Sequence, residues 1–258
     1  MENKITKQFI INSVNAESYA SKIAAWINEL INTNNRKGVV LGMSGGIDCS
    51  VVARLCQLAE VDIHLVMMPY DNDMTNSKSH VHAMELINKF NFPHHIYDIK
   101  PAVDALITQN TEFLSEASQT NIELSLANIR SRVRMTYLYQ LAQLGSMFVA
   151  GTGNIAERTV GYFTKWGDGA CDFNPLGMLT KQEVYTLAHY LGVPESIINK
   201  KPSAGLWEGQ TDEDELGMTY AQIDNYIIQG TSGDKSIDKL IERRISMSAH
   251  KFEPIPIF

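Results

Sequence analysis

The sequence predicts an α/β protein: a Rossmann-like parallel sheet with helices on both of its faces. Three observations carry that expectation. Short apolar runs recur at residues 39–41, 62–69, 94–99 and 147–150, each about the length of a buried strand. Stretches with apolar residues at helical spacing lie between them, and such alternation calls for parallel strands joined by right-handed crossovers. A glycine-rich turn follows the first run, at the strand end where sheets of this kind bind ligands.

Taken in order, residues 16–33 carry Tyr19, Ile23, Trp26, Ile27 and Leu30 at helical spacing and form one amphipathic helix. Asn34-Asn35-Arg36-Lys37-Gly38 ends it. The first strand then runs into Gly42-Met43-Ser44-Gly45-Gly46-Ile47-Asp48-Cys49-Ser50, which opens a second helix. The glycines let the backbone approach a ligand closely. The opening helix offers unpaired N–H groups and the positive end of its dipole, and Ser44 and Ser50 add hydroxyls, so the stretch reads as a cradle for phosphate. After the second strand, the polar residues 71–76 precede a helix through His82, Leu86 and Phe90. Residues 122–144 set Leu126, Ile129, Val133, Tyr137, Leu138 and Leu141 on one face of a long helix. Residues 160–179 are rich in glycine, aromatics and aspartate and read as loop. Thr180 opens a further helix, with Glu183 at capping-box spacing. Residues 200–217 are polar and acidic, a segment expected to move and to cover a site; two helices, near 220–228 and 236–248, follow.

The 258 residues are enough for one domain with a sizeable core, and neither a repeat nor a linker divides them. A net charge of −7 argues against non-specific nucleic-acid binding and points to small-molecule partners. Cys49, Cys56 and Cys171 form no C-x-x-C pair, which suggests a reducing compartment and no zinc site. With no signal-peptide pattern and no membrane-length apolar run, a cytoplasmic location is expected.

The cradle is neither a P-loop, since no Gly-Lys pair follows the strand, nor a G-x-G-x-x-G turn. Gly151-Thr152-Gly153-Asn154-Ile155-Ala156 does match the G-x-G-x-x-A dinucleotide variant, with Asp168 and Asp172 at the distance of a ribose-binding acid. It follows the fourth strand rather than the first, and it leaves the cradle unexplained. Glu157, three residues after Asn154, reads equally as a capping residue or, if the first and fourth strands are neighbours, as a partner of Asp48 in holding Mg²⁺. Arg130, Arg132 and Arg134 alternate along one helix and cannot share a face. Lys165 is either a contact for an anionic group or a loop charge. Lys181, in the first turn of its helix, runs against the dipole and suggests an anion partner.

Ser44-Gly45-Gly46-Ile47-Asp48-Cys49-Ser50 resembles the SGGxDS loop of the N-type ATP pyrophosphatases, which split ATP between its α and β phosphates. Four further stretches, the arginine helix 128–135, Gly151-Thr152-Gly153-Asn154-x-x-Glu157, residues 161–169 and Asp172-x-Asn174-Pro175-Leu176, narrow the resemblance. With Thr180-Lys181, Lys201-Pro202-Ser203-Ala204 and His250-Lys251 in the same order, nearly the whole chain is similar to the ammonia-dependent NAD⁺ synthetases. The resemblance implies an adenine-nucleotide α-hydrolase-like fold, no glutaminase domain, and ATP-dependent amidation of deamido-NAD⁺ by free ammonia through an acyl-adenylate. It implies that Gly42, Met43, Ser44, Gly45, Gly46, Ile47, Asp48, Cys49, Thr152, Lys181 and Ser203 bind ATP. Asp48 and Glu157 would hold Mg²⁺, and Arg132, Lys165, Asp172, His250 and Lys251 would contact deamido-NAD⁺. Asp48 and Lys181 would be the catalytic pair, in a homodimer. Two positions depart from the pattern: Cys49 stands where the loop usually has serine, and Ser203 where threonine is common.

Overall fold

The computed structural model describes residues 7, 10–70, 77–201 and 211–258. Four parallel strands, β1 (Gly38–Gly42), β2 (Asp62–Met67), β3 (His94–Ile96) and β4 (Phe148–Val149), form one sheet in the order β3-β2-β1-β4. The helices are α1 (Ala16–Thr33), α2 (Ile47–Leu58), α3 (Lys78–Phe90), α4 (Lys100–Thr108), α5 (Thr111–Glu116) and α6 (Gln119–Gly145) in the first part of the chain. They continue as α7 (Ile155–Thr159), α8 (Lys181–Tyr190), α9 (Glu195–Ile198), α10 (Asp212–Leu216), α11 (Tyr220–Gln229) and α12 (Lys235–Ser248), closed by a 3₁₀ turn, Ala249–Lys251.

β1 and β2 are buried on both faces, which is why they read as continuous apolar runs. Val39, Leu41, Ile63, Leu65 and Met67 pack into the core beneath α1, α2 and α8, while Val40, Val66 and Val149 face α6 and α4. Helices therefore cover both faces, as expected. A third apolar cluster, around Ala156, Val160, Leu216, Tyr220, Ile223 and Ile241, joins α7, α10, α11 and α12.

Several expectations need correction. The core face of α1 is the alanine stripe Ala16, Ala20 and Ala24 with Ile27 and Ile31, whereas Trp26 is 43% exposed and meets Phe173 edge-on. Small residues let α1 lie close against α2, so the larger side chains flank that seam instead of filling it. β3 stops at Ile96 because the chain turns into α4, whose first turn takes Pro101. β4 is only two residues long, and Ala150 then bridges in parallel to Phe173. Helices α4 and α5 had no counterpart in the sequence reading. Part of the expected covering segment, residues 202–210, lies outside the described residues. The remainder contains α10, a packed helix with Asp212 and Leu216 buried, and so is no loose flap.

Candidate active site

The β1–α2 turn carries the cradle. Met43 extends the ladder by donating its N–H to the Val66 carbonyl, and the chain then doubles back at Gly45, where φ is +69°. A Cβ at Gly45 would lie 2.2 Å from the Ser79 carbonyl oxygen, so this position must be glycine for the turn to seat against α3. Asp48 sits in the first turn of α2, where a carboxylate suits the helix dipole. Ser44 is exposed, but Ser50 is fully buried and its hydroxyl donates to the Gly46 carbonyl at 2.7 Å. Ser50 therefore adds nothing to the cradle surface, against expectation. Cys49 is buried too, with Sγ 3.2 Å from the Gly46 carbonyl and 3.4 Å from Ser44 Oγ.

Because β1 and β4 are neighbours, the turn after β4 stands beside the cradle. There Asn154 and Glu157 form a complete capping box on α7. Glu157 is the capping residue, its Oε2 accepting the Asn154 N–H at 3.1 Å, and its Oε1 also lies 3.4 Å from Lys181 Nζ. The Asn154 amide also donates to Asp48 Oδ1 at 3.1 Å. Lys181, 3% exposed, completes the cluster with its ammonium 2.7 Å from Asp48 Oδ2. The anion partner suggested by its position thus includes the protein's own two carboxylates. At the α8 N-terminus itself, Asp224 accepts the Lys181 and Gln182 N–H groups, and the Thr180–Glu183 capping box forms as predicted.

Burial and charge compete in this cluster. Burial alone would lower the Lys181 pKa, but Asp48 and Glu157 outweigh it and hold the amine charged well above its ordinary range. Burial pushes Glu157 up to about 7; Lys181 opposes this and Asp48 adds to it. The Asp48 and Glu157 side chains keep 19% and 16% exposure. Two partly open hard-oxygen ligands suit Mg²⁺ shared with phosphate oxygens. Among the described residues no group of three or more His, Cys, Asp or Glu could hold a metal ion.

Behind the cluster stand two tyrosines absent from the sequence-level site. The Tyr220 ring lies 4.6 Å from Lys181 Nζ, and its hydroxyl is 3.2 Å from Glu157 Oε1 and 2.9 Å from Asp212 Oδ2. The Tyr162 hydroxyl is 3.2 Å from Asp212 Oδ1 and 2.8 Å from Glu215 Oε2. No spacing rule points at Asp212 or Tyr220; only the fold brings them here.

Residues 161–169 form the second half of the site. Gly161 has φ +65°, and a Cβ there would overlap Ser248. Ser131 on α6 donates to Asp168, Thr164 donates to Asn128, and Arg132 reaches the Lys165 carbonyl at 3.4 Å. Lys165 donates to the His250 carbonyl, and Lys251 to the carbonyls of Gly161 (2.7 Å) and Phe163 (2.5 Å). Arg132, Lys165, His250 and Lys251 are thereby gathered as anticipated. Arg130 stacks on Tyr70 and Arg134 binds the Met68 carbonyl, while Arg132 turns to this loop. Asp172 stands apart, accepting the Val149 N–H at 2.7 Å. Thr152 is half-buried beyond β4, and Ser203 lies outside the described residues. The G-x-G-x-x-A reading fails here: α7 is a five-residue helix, Asp172 is occupied with Val149, and Asp168 with Ser131 and Thr164.

This geometry can be set beside known proteins. The NAD synthase family model matches residues 19–255. An NH(3)-dependent NAD(+) synthetase of Carboxydothermus hydrogenoformans is 42% identical over 240 residues, covering 92% of this chain and 96% of its own. Among solved structures, an NMN synthetase from Francisella tularensis superposes with a TM-score of 0.86 at 36% identity, covering 94% of this chain and 98% of its own. An NH3-dependent NAD synthetase from Campylobacter jejuni superposes with a TM-score of 0.78 at 32% identity, covering 96% and 100%. A cradle after the first strand, an acidic pair bridged by a lysine and a match across almost the whole length agree, and the chain belongs to the NAD synthase family.

Proposed function

We propose that this chain is an ammonia-dependent ligase that amidates deamido-NAD⁺ to NAD⁺ with conversion of ATP to AMP and pyrophosphate. The observation that carries the reading is the Lys181–Asp48–Glu157 cluster at the mouth of the glycine turn. A nicotinate carboxylate oxygen attacks the α-phosphorus, and the bond to the β-phosphate oxygen breaks. Pyrophosphate leaves toward residues 42–49. Ammonia then attacks the acyl carbon, AMP departs with the bonding electron pair, and a proton is lost from nitrogen. Such chemistry needs positioning and charge stabilisation rather than a protein nucleophile. Lys181 offsets charge on the phosphates, with Thr152 and Ser203 as further ATP contacts. Mg²⁺, when bound by Asp48 and Glu157, would supply neutralisation of the phosphate oxygens. Arg132, Lys165, His250 and Lys251, with Asp172 at the rim, orient the acyl substrate. The test is purified protein with ATP, Mg²⁺, ammonium and deamido-NAD⁺: NAD⁺, AMP and pyrophosphate in equal amounts are expected, and ADP or no turnover would refute the reading.

A second reading is favoured by the similarity to an NMN synthetase: the same amidation on nicotinate mononucleotide. Comparing kcat/KM for the two acids decides between them, and preference for the dinucleotide is expected from the similarity to the named NAD⁺ synthetases.

The enzyme we infer is a cytoplasmic homodimer. Among the described residues no helix is long and apolar enough to cross a membrane. Only Val133 and Ala142 are buried along the 27 residues of α6, and a groove of about 490 Å³ between α4, α5 and α6 is lined by Leu106, Leu114, Ile122, Leu126 and Ile129. A second copy packed along α6 would cover it beside Arg132. Light scattering should give a dimer mass, and Leu126→Glu, in the groove lining, should shift it to monomer.

A further inference from the structure

We infer that Asp212 is a positioning residue: it sets the phosphate side of the site and the acyl-substrate loop at a fixed separation. The inference rests on the proposed amidation for its kinetic readout, but its structural basis is independent of the substrate's identity. Asp212 is 5% exposed and begins α10. A buried carboxylate is costly unless donors satisfy it, and its two oxygens meet phenols from opposite halves of the site. Oδ2 meets Tyr220, whose ring backs the Lys181 ammonium and whose hydroxyl also reaches Glu157. Oδ1 meets Tyr162, the first residue of the loop after Gly161, two residues before Thr164 is tied to α6. Hydrogen bonds to an ionised carboxylate are roughly twice as strong as neutral ones. Phenols have only two side-chain torsions, so holding the hydroxyl fixes the ring. Asp212 therefore links the wall behind Lys181 to the start of the loop that carries Lys165, with Glu215 sharing the hold on the Tyr162 hydroxyl at 2.8 Å. Asp212 holds the two tyrosines by hydrogen bonds, and its charge also acts on Lys181.

Displacing reacting groups by about 1 Å costs on the order of 100-fold in rate. Asp212→Asn keeps the shape and removes the charge. We expect kcat/KM to fall roughly 10- to 100-fold, KM to rise for both ATP and the acyl substrate, and the melting temperature to stay near that of the wild type. Tyr162→Phe should raise KM for the acyl substrate alone, and Tyr220→Phe should act on ATP alone. Because the two hydroxyls also reach Glu157 and Glu215, the triple variant should lose more than Asp212→Asn but less than the product of the three single losses. Calorimetric titration of ATP gives a readout that survives even if the acyl substrate has been misassigned: Asp212→Asn should weaken ATP binding and Tyr162→Phe should not. Kinetic constants and ATP affinity within twofold of wild type in Asp212→Asn would overturn the inference. If that variant does not fold, the two phenylalanine variants decide, and constants within twofold in both would overturn it equally. Absence of turnover in the wild-type enzyme refutes the amidation reading instead, and leaves the ATP titration to judge Asp212.

Discussion

The two halves of the site hold their cations by opposite means. On the phosphate side, Lys181 is sealed against two carboxylates drawn from two other segments, and each of those carboxylates accepts a further bond from Asn154. On the acyl side, Lys165 and Lys251 rest on backbone carbonyls, and Arg132 and His250 are exposed. A neutral carbonyl holds an ammonium less tightly than a carboxylate does. The phosphate side is thus arranged before any ligand arrives, while the acyl-side cations can leave their carbonyls for an anionic substrate at small cost. In the amidation proposed above, the first side would stabilise charge that develops during reaction and the second would recognise what is to be adenylated.

The harshest way to break this contrast is Lys181→Met. It leaves Asp48 and Glu157 facing each other without their cation. Losing a preorganised charge of this kind costs about 10²–10³-fold in kcat, and we expect the upper end. Pyrophosphate release measured at saturating substrates checks it. A loss under tenfold would mean that the cluster is structural.

The N-terminal arm sharpens the contrast from outside the family match, which begins at residue 19. Lys7 pairs with buried Glu183 and donates to the Met178 carbonyl, and the Ile11 N–H donates to the same Glu183 at 2.7 Å. Glu183 caps the helix that carries Lys181, so the arm braces the rigid half of the site. Breaking a buried pair by removing one partner costs about 3–5 kcal/mol, and Lys7→Met should fall near the lower figure because N–H donors still serve Glu183. Chemical denaturation measures this, and a change under about 1 kcal/mol, the range of exposed pairs, would show the brace to be slack.

What was legible in the sequence follows the same division. The cradle could be read because its glycines, Asp48 and the strand before it are contiguous, and local backbone geometry forces that spelling. The capping boxes at Asn154–Glu157 and Thr180–Glu183 were legible for the same reason. The continuous apolar runs of β1 and β2 were legible because both faces of these strands are buried. By contrast, Tyr220, Asp212 and Asp224 acquire their roles from helices that meet only in the fold. Local spacing carries no trace of them. On α1 the apolar spacing finds Ile27 in the core and Tyr19, Ile23 and Leu30 against it, but not the alanine stripe, because alanine carries little apolar signal. His250 and Lys251 enter through resemblance alone, and the arrangement of Lys165, His250 and Lys251 around Gly161 and Phe163 is a tertiary fact.

A milder test addresses the adaptable half. Arg132→Ala and Lys165→Met each remove one exposed or half-buried cation from the acyl side and leave the Lys181 cluster untouched. Charge-assisted hydrogen bonds contribute about 1.5–3 kcal/mol, so KM for the acyl substrate should rise roughly 10- to 100-fold, while KM for ATP should move less than twofold. Initial rates with each substrate varied in turn separate the two constants. Equal effects on both would dissolve the proposed division of labour.

The smallest effect is expected at Cys49, where this loop departs from the usual serine. Its sulfur lies 3.2 Å from the Gly46 carbonyl, the same acceptor that takes the Ser50 hydroxyl, so the side chain points back into the turn. A serine hydroxyl at this place would make the same inward bond and make it better, because a thiol is a weak donor. Its contribution to phosphate binding is then the backbone N–H, which the substitution leaves alone. Cys49→Ser should therefore change kcat/KM for ATP by less than twofold. A gain of tenfold would mean instead that residue 49 turns toward the nucleotide, and that the rigid half of the site rearranges after all when ATP binds.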